Sequence, residues 1–333
     1  MTRVFLTGGT GFIGQPLSAS LLQRGWTVSA LVRDPQGAAA QAIQQLGATL
    51  VLGDITDPAS MRTAMAGADI VIHNAGWYEL GIGGREAEQR MQAINVDGTR
   101  HALTLAHELG VPRIVHVSSV VATGETGDQL RDESFTRQAP PPSPYEHTKT
   151  AAHQLALDLI KQGAPVMLAM PGAVIGPGDH ANLGVLQRMY VRGIAPALTI
   201  GGDYRRCQVY VDDCAEGIAL IAEKGRPGEL YLLSAGSLSY REIYDLWATT
   251  PGGMKQMAVM PKSLAVFSAM LVEPAQRWLR LPNLLSVEAA RGAYTHYDYS
   301  GGKAMRELGW QPRDLRQAWL ATLAEERRRA GKE

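Results

Sequence analysis

The sequence predicts an α/β fold, a doubly wound parallel sheet joined to a smaller, discontinuous C-terminal α+β subdomain. Three observations point to it. Short apolar runs alternate with longer helical patterns through the first half, as in a parallel sheet covered by helices on both faces. The first run leads directly into three glycines, Gly8, Gly11 and Gly14. After Met170 the texture changes, with more Pro and Gly and less regular alternation.

Taken in order, the runs are Val4 to Leu6, Val28 to Val32, Leu50 to Leu52, Ile70 to His73, Ile114 to Val117 and Val166 to Met170. Asp57-Pro58 opens a helix after the third run, because Pro suits the first helical turn. A long helix is expected over roughly Arg85 to Glu108, ended by Gly110 with Pro112 behind it. Arg137 to Pro144, with four prolines, reads as a surface loop into a helix that Pro144 begins and that runs to about Ile160. Right-handed crossovers then wind the sheet on both sides. Farther on, Cys207 to Val211 reads as a short strand and Asp212 to Ala222 as a helix whose Ile218, Leu220 and Ile221 pack back on the large sheet. The expected division is therefore residues 1–170 plus about 207–235 for a Rossmann domain, with about 171–206 and 236–333 for a substrate-binding subdomain. No internal repeat is visible.

A chain of 333 residues with 45% hydrophobic content can bury a large core without staples. Lys plus Arg (32) equals Asp plus Glu (32), so no global field draws the chain to nucleic acid. The two cysteines, Cys207 and Cys214, lie in a chain with no signal-peptide pattern, which favours reduced thiols, a cytoplasmic location and no metal site. Ser263 to Val272 is the most apolar stretch. It is too short to span a bilayer, so the expectation is a buried or lid helix and no stable membrane insertion.

The glycine turn carries the first functional signal. A strand, then Thr7 to Gly14, then a helix lets the chain turn tightly and bring bare backbone to a pyrophosphate at a helix N-terminus. Gly8, Thr10, Gly11, Phe12, Ile13 and Gly14 are the candidate cofactor contacts. The second strand ends in Val32-Arg33-Asp34, where an NAD site usually carries an acid. The Arg33 guanidinium suits a 2′-phosphate, so NADP(H) is favoured and NAD stays possible. The alternative has Arg33 in solvent and Asp34 on the ribose. Asp54 and Ile55, after the third strand, are placed for the adenine; otherwise Asp54 is a turn residue before Pro58.

Tyr145 and Lys149 lie four apart near the start of a helix, so one face presents both. An ammonium beside a phenol lowers a pKa of about 10 and makes the tyrosine an acid or base near neutrality. Ser118-Ser119 ends the fifth strand, at the carboxyl edge where ligands bind in such sheets. Ser119 can donate to a substrate oxygen, and Ser118 is suited to a turn hydrogen bond.

At this point the chain resembles the extended short-chain dehydrogenase/reductase family over nearly its whole length. The matching pieces are Thr7 to Gly14, Asp54, His73-Asn74-Ala75-Gly76, Asn95 to Thr99, Val117-Ser118-Ser119, Tyr145 to Lys149, Pro171 to Pro177 and Val209-Tyr210-Val211-Asp212-Asp213. The resemblance implies that Tyr145 is the general acid/base, that Lys149 also binds the nicotinamide ribose hydroxyls, and that Ser119 rather than Ser118 orients the reacting carbonyl. It also places Asn74, Ala75, Gly76, Asn95 and Pro171 along the cofactor, with Asn95 in a structural or proton-relay role.

Within that family the sequence is similar to the dihydroflavonol reductase and 3β-hydroxysteroid dehydrogenase branch. Met170 to Val174 is apolar where nucleotide-sugar enzymes carry Arg and Asn, and Trp77 with Tyr78 can wall a flat carbonyl substrate, or else pack the subdomain. Arg205-Arg206 points the other way, toward an anionic substrate group held by Arg206, if it is not a solvated loop. Three readings remain: an NADP(H)-dependent oxidoreductase acting on a small ketone, aldehyde or alcohol; an NAD-dependent nucleotide-sugar epimerase or dehydratase; and a non-catalytic NADP(H)-sensing module. A homodimer through the two long helices is the family habit. Met189, Tyr190, Met254, Met257 and Met260 offer a pocket lining but read more naturally as core filler.

Overall fold

The computed structural model describes residues 1–78, 85–195, 198–251, 253–255, 258–278 and 286–331. The six apolar runs all become strands: β1 (Arg3–Thr7), β2 (Thr27–Val32), β3 (Thr49–Leu52), β4 (Ile70–His73), β5 (Ile114–Val117) and β6 (Val166–Pro171). With Leu230–Leu233 at the edge they form a seven-stranded sheet among the described residues. Its order is Leu230–Leu233, β6, β5, β4, β1, β2, β3. Every pairing in it is parallel. Chain direction across the sheet reverses between β1 and β4, which opens a crevice at their carboxyl ends.

Period-two alternation sorts each strand between two cores. Leu6, Ile72 and Val115 face one side, under α1 (Gly14–Gln23), α2 (Ala38–Gln45) and the helix Val211–Lys224. Phe5, Val71 and Ile114 face the other, under α3 (Pro58–Met65), α5 (Gly98–Glu108) and α6 (Pro144–Lys161), with α4 (Arg85–Gln92) leading into α5. Both proline-marked starts carry a side-chain cap. Asp57 accepts from the Ala59 N–H ahead of α3, and Ser143 accepts from Glu146 N–H at 3.2 Å ahead of α6.

The expected helix over Arg85 to Glu108 is not continuous. A π turn, Ala93–Asp97, separates α4 from α5 and leaves Asn95 2% exposed. Such widened turns often mark functional positions.

The strand expected at Cys207 to Val211 begins earlier, at Arg205–Tyr210, and pairs outside the large sheet. It forms a small sheet with Ala173–Ile175 and Ser237–Ser239. The helix after it does pack back, with Ile218 and Ile221 fully buried. Trp310 joins the same core and donates its indole N–H to the Asp213 carbonyl at 2.8 Å, so the C-terminal segment locks onto this helix. A separate core around Tyr190, Tyr244, Trp247 and Trp319 holds the second half together.

The apolar stretch Ser263 to Val272 lies in the helix Lys262–Trp278 and is not a buried one. Ala265 and Ala269 are covered, while Leu264, Phe267 and Leu271 are 48%, 57% and 63% exposed. Small alanines supply its packing face, leaving the large side chains outside. Among the described residues no helix is long and apolar enough to cross a membrane. Both cysteines are buried free thiols.

Candidate active site

The carboxyl ends of the sheet open into one cavity of about 1760 Å³. Single-ligand pockets usually measure about 300–1,000 Å³, so this one has room for a dinucleotide and a second molecule. Of the residues assigned above to cofactor, catalysis or substrate, all line it except Gly14 and Asp34, the alternative to Arg33 at the ribose.

The three glycines serve different ends. Gly8 has a φ of +72°, and a Cβ there would sit 2.6 Å from the Ala75 backbone nitrogen. Gly14 faces the turn itself, where a Cβ would overlap the Gly8 carbonyl oxygen. Gly11 is open: its nearest neighbour to a Cβ is the Gly8 oxygen at 3.4 Å, and its bare side fronts the cavity. No side chain caps α1; its Gln15 and Leu17 amides bond the Gly11 and Ile13 carbonyls and Pro16 has no N–H, so it is the turn ahead of the helix, Thr10 to Ile13, that fronts the cavity at the positive end of the dipole. Asn74 donates to the Gly8 carbonyl at 3.2 Å and Thr7 Oγ1 accepts from the Ala75 amide at 3.2 Å, tying the segment after β4 to the glycine turn.

At the far end Arg33 and Asp34 part company. Asp34 turns back to accept from the Gln36 amide at 3.0 Å and does not line the cavity, whereas Arg33 does. Asp54 accepts from the amide and hydroxyl of Thr56, both at 2.8 Å. Burial pushes its carboxyl up, but those bonds and the Arg33 charge outweigh it and hold the group below the usual carboxylate range. Ile55 is 8% exposed and packs under Gly98 at the start of α5.

Tyr145 and Lys149 share one stripe of α6, facing the end of β5. The Ser119 hydroxyl acts on the Tyr145 phenol, and Lys149 Nζ donates to the Val117 carbonyl at 3.2 Å. Burial pushes the Tyr145 phenol above its usual range; the Ser119 bond opposes this and the Glu146 carboxylate adds to it. Burial pulls the Lys149 ammonium down to about 8. The expectation that Lys149 lowers the phenol is therefore corrected, since its bond goes to Val117 and desolvation dominates at Tyr145. The phenol is protonated at neutral pH and available as an acid. His147, inside the same spacing, faces away and is exposed.

Trp77 and Tyr78 form a wall. The Tyr78 ring meets Tyr145 edge-on with centroids 4.7 Å apart, and the Arg90 guanidinium lies 4.7 Å over Trp77. Asn95 hydrogen-bonds the Trp77 main chain and Thr148, so its amide is engaged by protein groups. Pro171, the apolar Gly172 to Val174 and Arg206 line the same cavity. Arg206 donates to the Gly292 carbonyl and lies 5.6 Å over the Tyr297 ring, while its buried Nε has no protein partner among the described residues.

Sequence reasoning missed Arg90, and also Glu146, which pairs with Arg137 at 2.8 Å and accepts from the Tyr297 hydroxyl at 2.9 Å beside Tyr145. Neither has a spacing that distinguishes it from a solvated helix charge. Met189, Tyr190, Met254 and Met260 do not line the cavity, and Tyr190 belongs to the aromatic core; Met257 lies outside the described residues. Among the described residues no cluster of His, Cys, Asp and Glu can hold a metal ion.

Residues 4–234 match the NAD dependent epimerase/dehydratase family. A 4-hydroxy-2-methyl-3-oxo-4-farnesyl-3,4-dihydroquinoline-1-oxide ketoreductase of Stigmatella aurantiaca is 33% identical, over 96% of this chain and 95% of its own length. A 3-beta-hydroxysteroid dehydrogenase of Mycolicibacterium neoaurum is 27% identical, over 93% of this chain and 87% of its own. The crystal structure of gox2253 matches with a TM-score of 0.83 at 28% identity, covering 100% of this chain and 99% of that one.

Proposed function

The chain belongs to the NAD dependent epimerase/dehydratase family, and from that premise we propose that it is an NADP(H)-dependent oxidoreductase that reduces a ketone or aldehyde, or oxidises the corresponding alcohol. The observation that carries this reading is the protonated Tyr145, gathered with Ser119 and, one helical turn on, Lys149 in the cavity that the glycine turn enters.

The residues present fit a phosphorylated dinucleotide. The open side of Gly11 and the turn ahead of α1 suit a pyrophosphate, and Arg33, free of Asp34, suits a 2′-phosphate. The nicotinamide, when bound, supplies or accepts the hydride. The protein does the rest. Ser119 and Tyr145 hold the carbonyl oxygen, and Tyr145 passes its proton to that oxygen as the carbon is reduced. Lys149, fixed on the Val117 carbonyl, would hold the ribose hydroxyls. Residues 1–170 with about 207–235 serve the dinucleotide in this reading, and about 171–206 with 236–333 the substrate.

The ketoreductase relative, the apolar Gly172 to Val174 and the Trp77–Tyr78 wall support a flat, largely apolar carbonyl substrate. Arg206 is the one observation that favours the epimerase or dehydratase reading, since its unpartnered Nε suits an anionic group. The deciding experiment follows NADPH absorbance across a broad panel of ketones and aldehydes. Turnover lost in Tyr145→Phe with NADPH binding kept supports the reductase; a protein that holds NAD tightly and oxidises NADPH with no carbonyl overturns it.

A further inference from the structure

We propose that His153 is a positioning residue for this reaction, its bond to Ser118 being one rung of a latch that holds the carboxyl end of β5 against the helix carrying Tyr145 and Lys149. The inference rests on the reductase reading for its activity readout only.

Tyr145, Lys149 and His153 follow one another at four-residue spacing and so form a single stripe of α6. Three consecutive residues of the opposing chain meet that stripe. Val117 accepts from Lys149 Nζ at 3.2 Å, Ser118 Oγ lies 3.0 Å from His153 Nδ1, and the Ser119 hydroxyl acts on the Tyr145 phenol. Two of the rungs involve groups that do the chemistry. The third, Ser118 to His153, touches neither substrate nor cofactor in the proposed scheme, yet lies between the same two segments.

Its partners make it stiff. The Ser118 amide is bonded to the Ala169 carbonyl of β6 at 2.8 Å, so the serine is anchored in the sheet. Ser118 is 4% and His153 7% exposed, so water does not replace the bond when it opens, and each partner is left unsatisfied. A fixed Ser118 fixes its neighbours, Val117 and Ser119, whose oxygens set where Lys149 and Tyr145 stand. Catalytic groups need such support, because a shift of about 1 Å can cost roughly a hundredfold in rate.

An imidazole suits this place for an electrostatic reason. Lys149 acts on His73 of β4, His116 of β5 and His153 of α6, and burial is the first cause holding all three neutral. His73 and His116 stack with centroids 5.6 Å apart. A neutral His153 bonds Ser118 without adding a second positive charge beside Lys149 or offering a carboxylate that would draw the ammonium off Val117.

The test compares His153→Leu, His153→Asn, Ser118→Ala and the His153→Leu/Ser118→Ala double variant in the full chain. Asn returns a polar atom near the place of Nδ1. Two readouts are taken: steady-state kinetics with NADPH and a carbonyl substrate over a pH series, and the titration of Lys149 in protein labelled with 13C at lysine Cε, assigned by Lys149→Met. His153→Leu is expected to lower kcat roughly ten- to a hundredfold with KM for NADPH within about twofold, and to move the Lys149 midpoint. His153→Asn should recover most of both, and the double variant should be no worse than the poorer single one. Unchanged kcat and an unchanged Lys149 midpoint in His153→Leu, or losses in the double variant that simply multiply, overturn the latch. If His153→Leu does not fold, His153→Asn and Ser118→Ala decide it by the same readouts. If the wild-type protein reduces no carbonyl, the reductase reading fails while the Lys149 titration still judges the latch.

Discussion

Asn95 grips the main chain of Trp77 at both ends: its Oδ1 accepts from the Trp77 amide at 2.7 Å and its Nδ2 donates to the Trp77 carbonyl at 2.9 Å. The same Nδ2 reaches Thr148 Oγ1 at 3.1 Å, inside the Tyr145 to Lys149 turn. One buried amide thus ties the aromatic wall to the helix that carries Tyr145 and Lys149, and the π turn is what brings it there. Asn95→Ala strips partners from buried groups that cost about 1–3 kcal/mol each when unsatisfied. It should lower unfolding stability by that order and raise KM for the carbonyl substrate more than Kd for NADPH. Asn95→Asp keeps the acceptor and loses the donor, so it should fall between. Urea unfolding and substrate titration check both, and an Asn95→Ala protein with normal stability and KM removes this role.

The glycines separate by what a methyl would meet. Gly14→Ala drives a methyl into the Gly8 carbonyl and should destabilise the fold itself. Gly11→Ala meets only open cavity on the protein side, so its melting temperature should stay near that of the wild type while NADPH affinity falls at least tenfold as the methyl intrudes on the phosphates. Calorimetry beside a fluorescence titration of NADPH distinguishes the two; equal behaviour of the two variants contradicts the assignment.

That contrast shows where the sequence was legible and where it was not. The six strands and the starts at Pro58 and Pro144 follow from local rules, because parallel buried strands are apolar and proline suits a first helical turn. Positions along the cavity were legible too, since a glycine turn and a Tyr-x-x-x-Lys face are short patterns. What escaped depends on partners far away in sequence. The break in the expected helix reflects Asn95 finding Trp77, and the roles of the three glycines depend on Ala75 and the open cavity. The protonated Tyr145 arises from burial contributed by other segments, which the spacing to Lys149 does not encode. Of the two readings of the apolar stretch from Ser263, a buried or a lid helix, the buried one fails because hydrophobicity alone does not assign the inside, while Lys262 and Val266 of the same helix line the cavity.

Acid should weaken the fold through the buried histidines. His73 has both ring nitrogens engaged, by Thr7 Oγ1 at 2.8 Å and Thr99 Oγ1 at 3.0 Å, and burial lowers it from 6.5 to about 3. His153 is lowered to about 4, again chiefly by burial. Between those folded values and 6.5 the unfolded chain binds more protons, so stability is full above pH 6.5 and declines as pH falls below it. Each group contributes on the order of 1 kcal/mol per pH unit in that window. Urea unfolding at pH 7, 5.5 and 4.5 measures the slope, and His73→Asn, which removes one titrating ring, should flatten it. An equal slope in the variant would show that carboxylates elsewhere control the acid limit.

Arg33 supplies the sharpest test of cofactor choice, because its neighbour is already committed. Asp34 gives an oxygen to the Gln36 amide, leaving Arg33 as the charged side chain of this pair that lines the cavity. A guanidinium gains from a 2′-phosphate through paired, charge-assisted hydrogen bonds, and gains far less from a ribose hydroxyl. Arg33→Asp should therefore weaken NADPH by about tenfold to a hundredfold, the 1.5–3 kcal/mol typical of hydrogen bonds to charged groups, and leave NADH nearly unchanged. The loss should shrink as salt screens the exposed pair. Equal weakening of both cofactors would instead assign Arg33 to the fold of the β2 end, and Asp34 or Asp54 would then become the residue that meets the ribose.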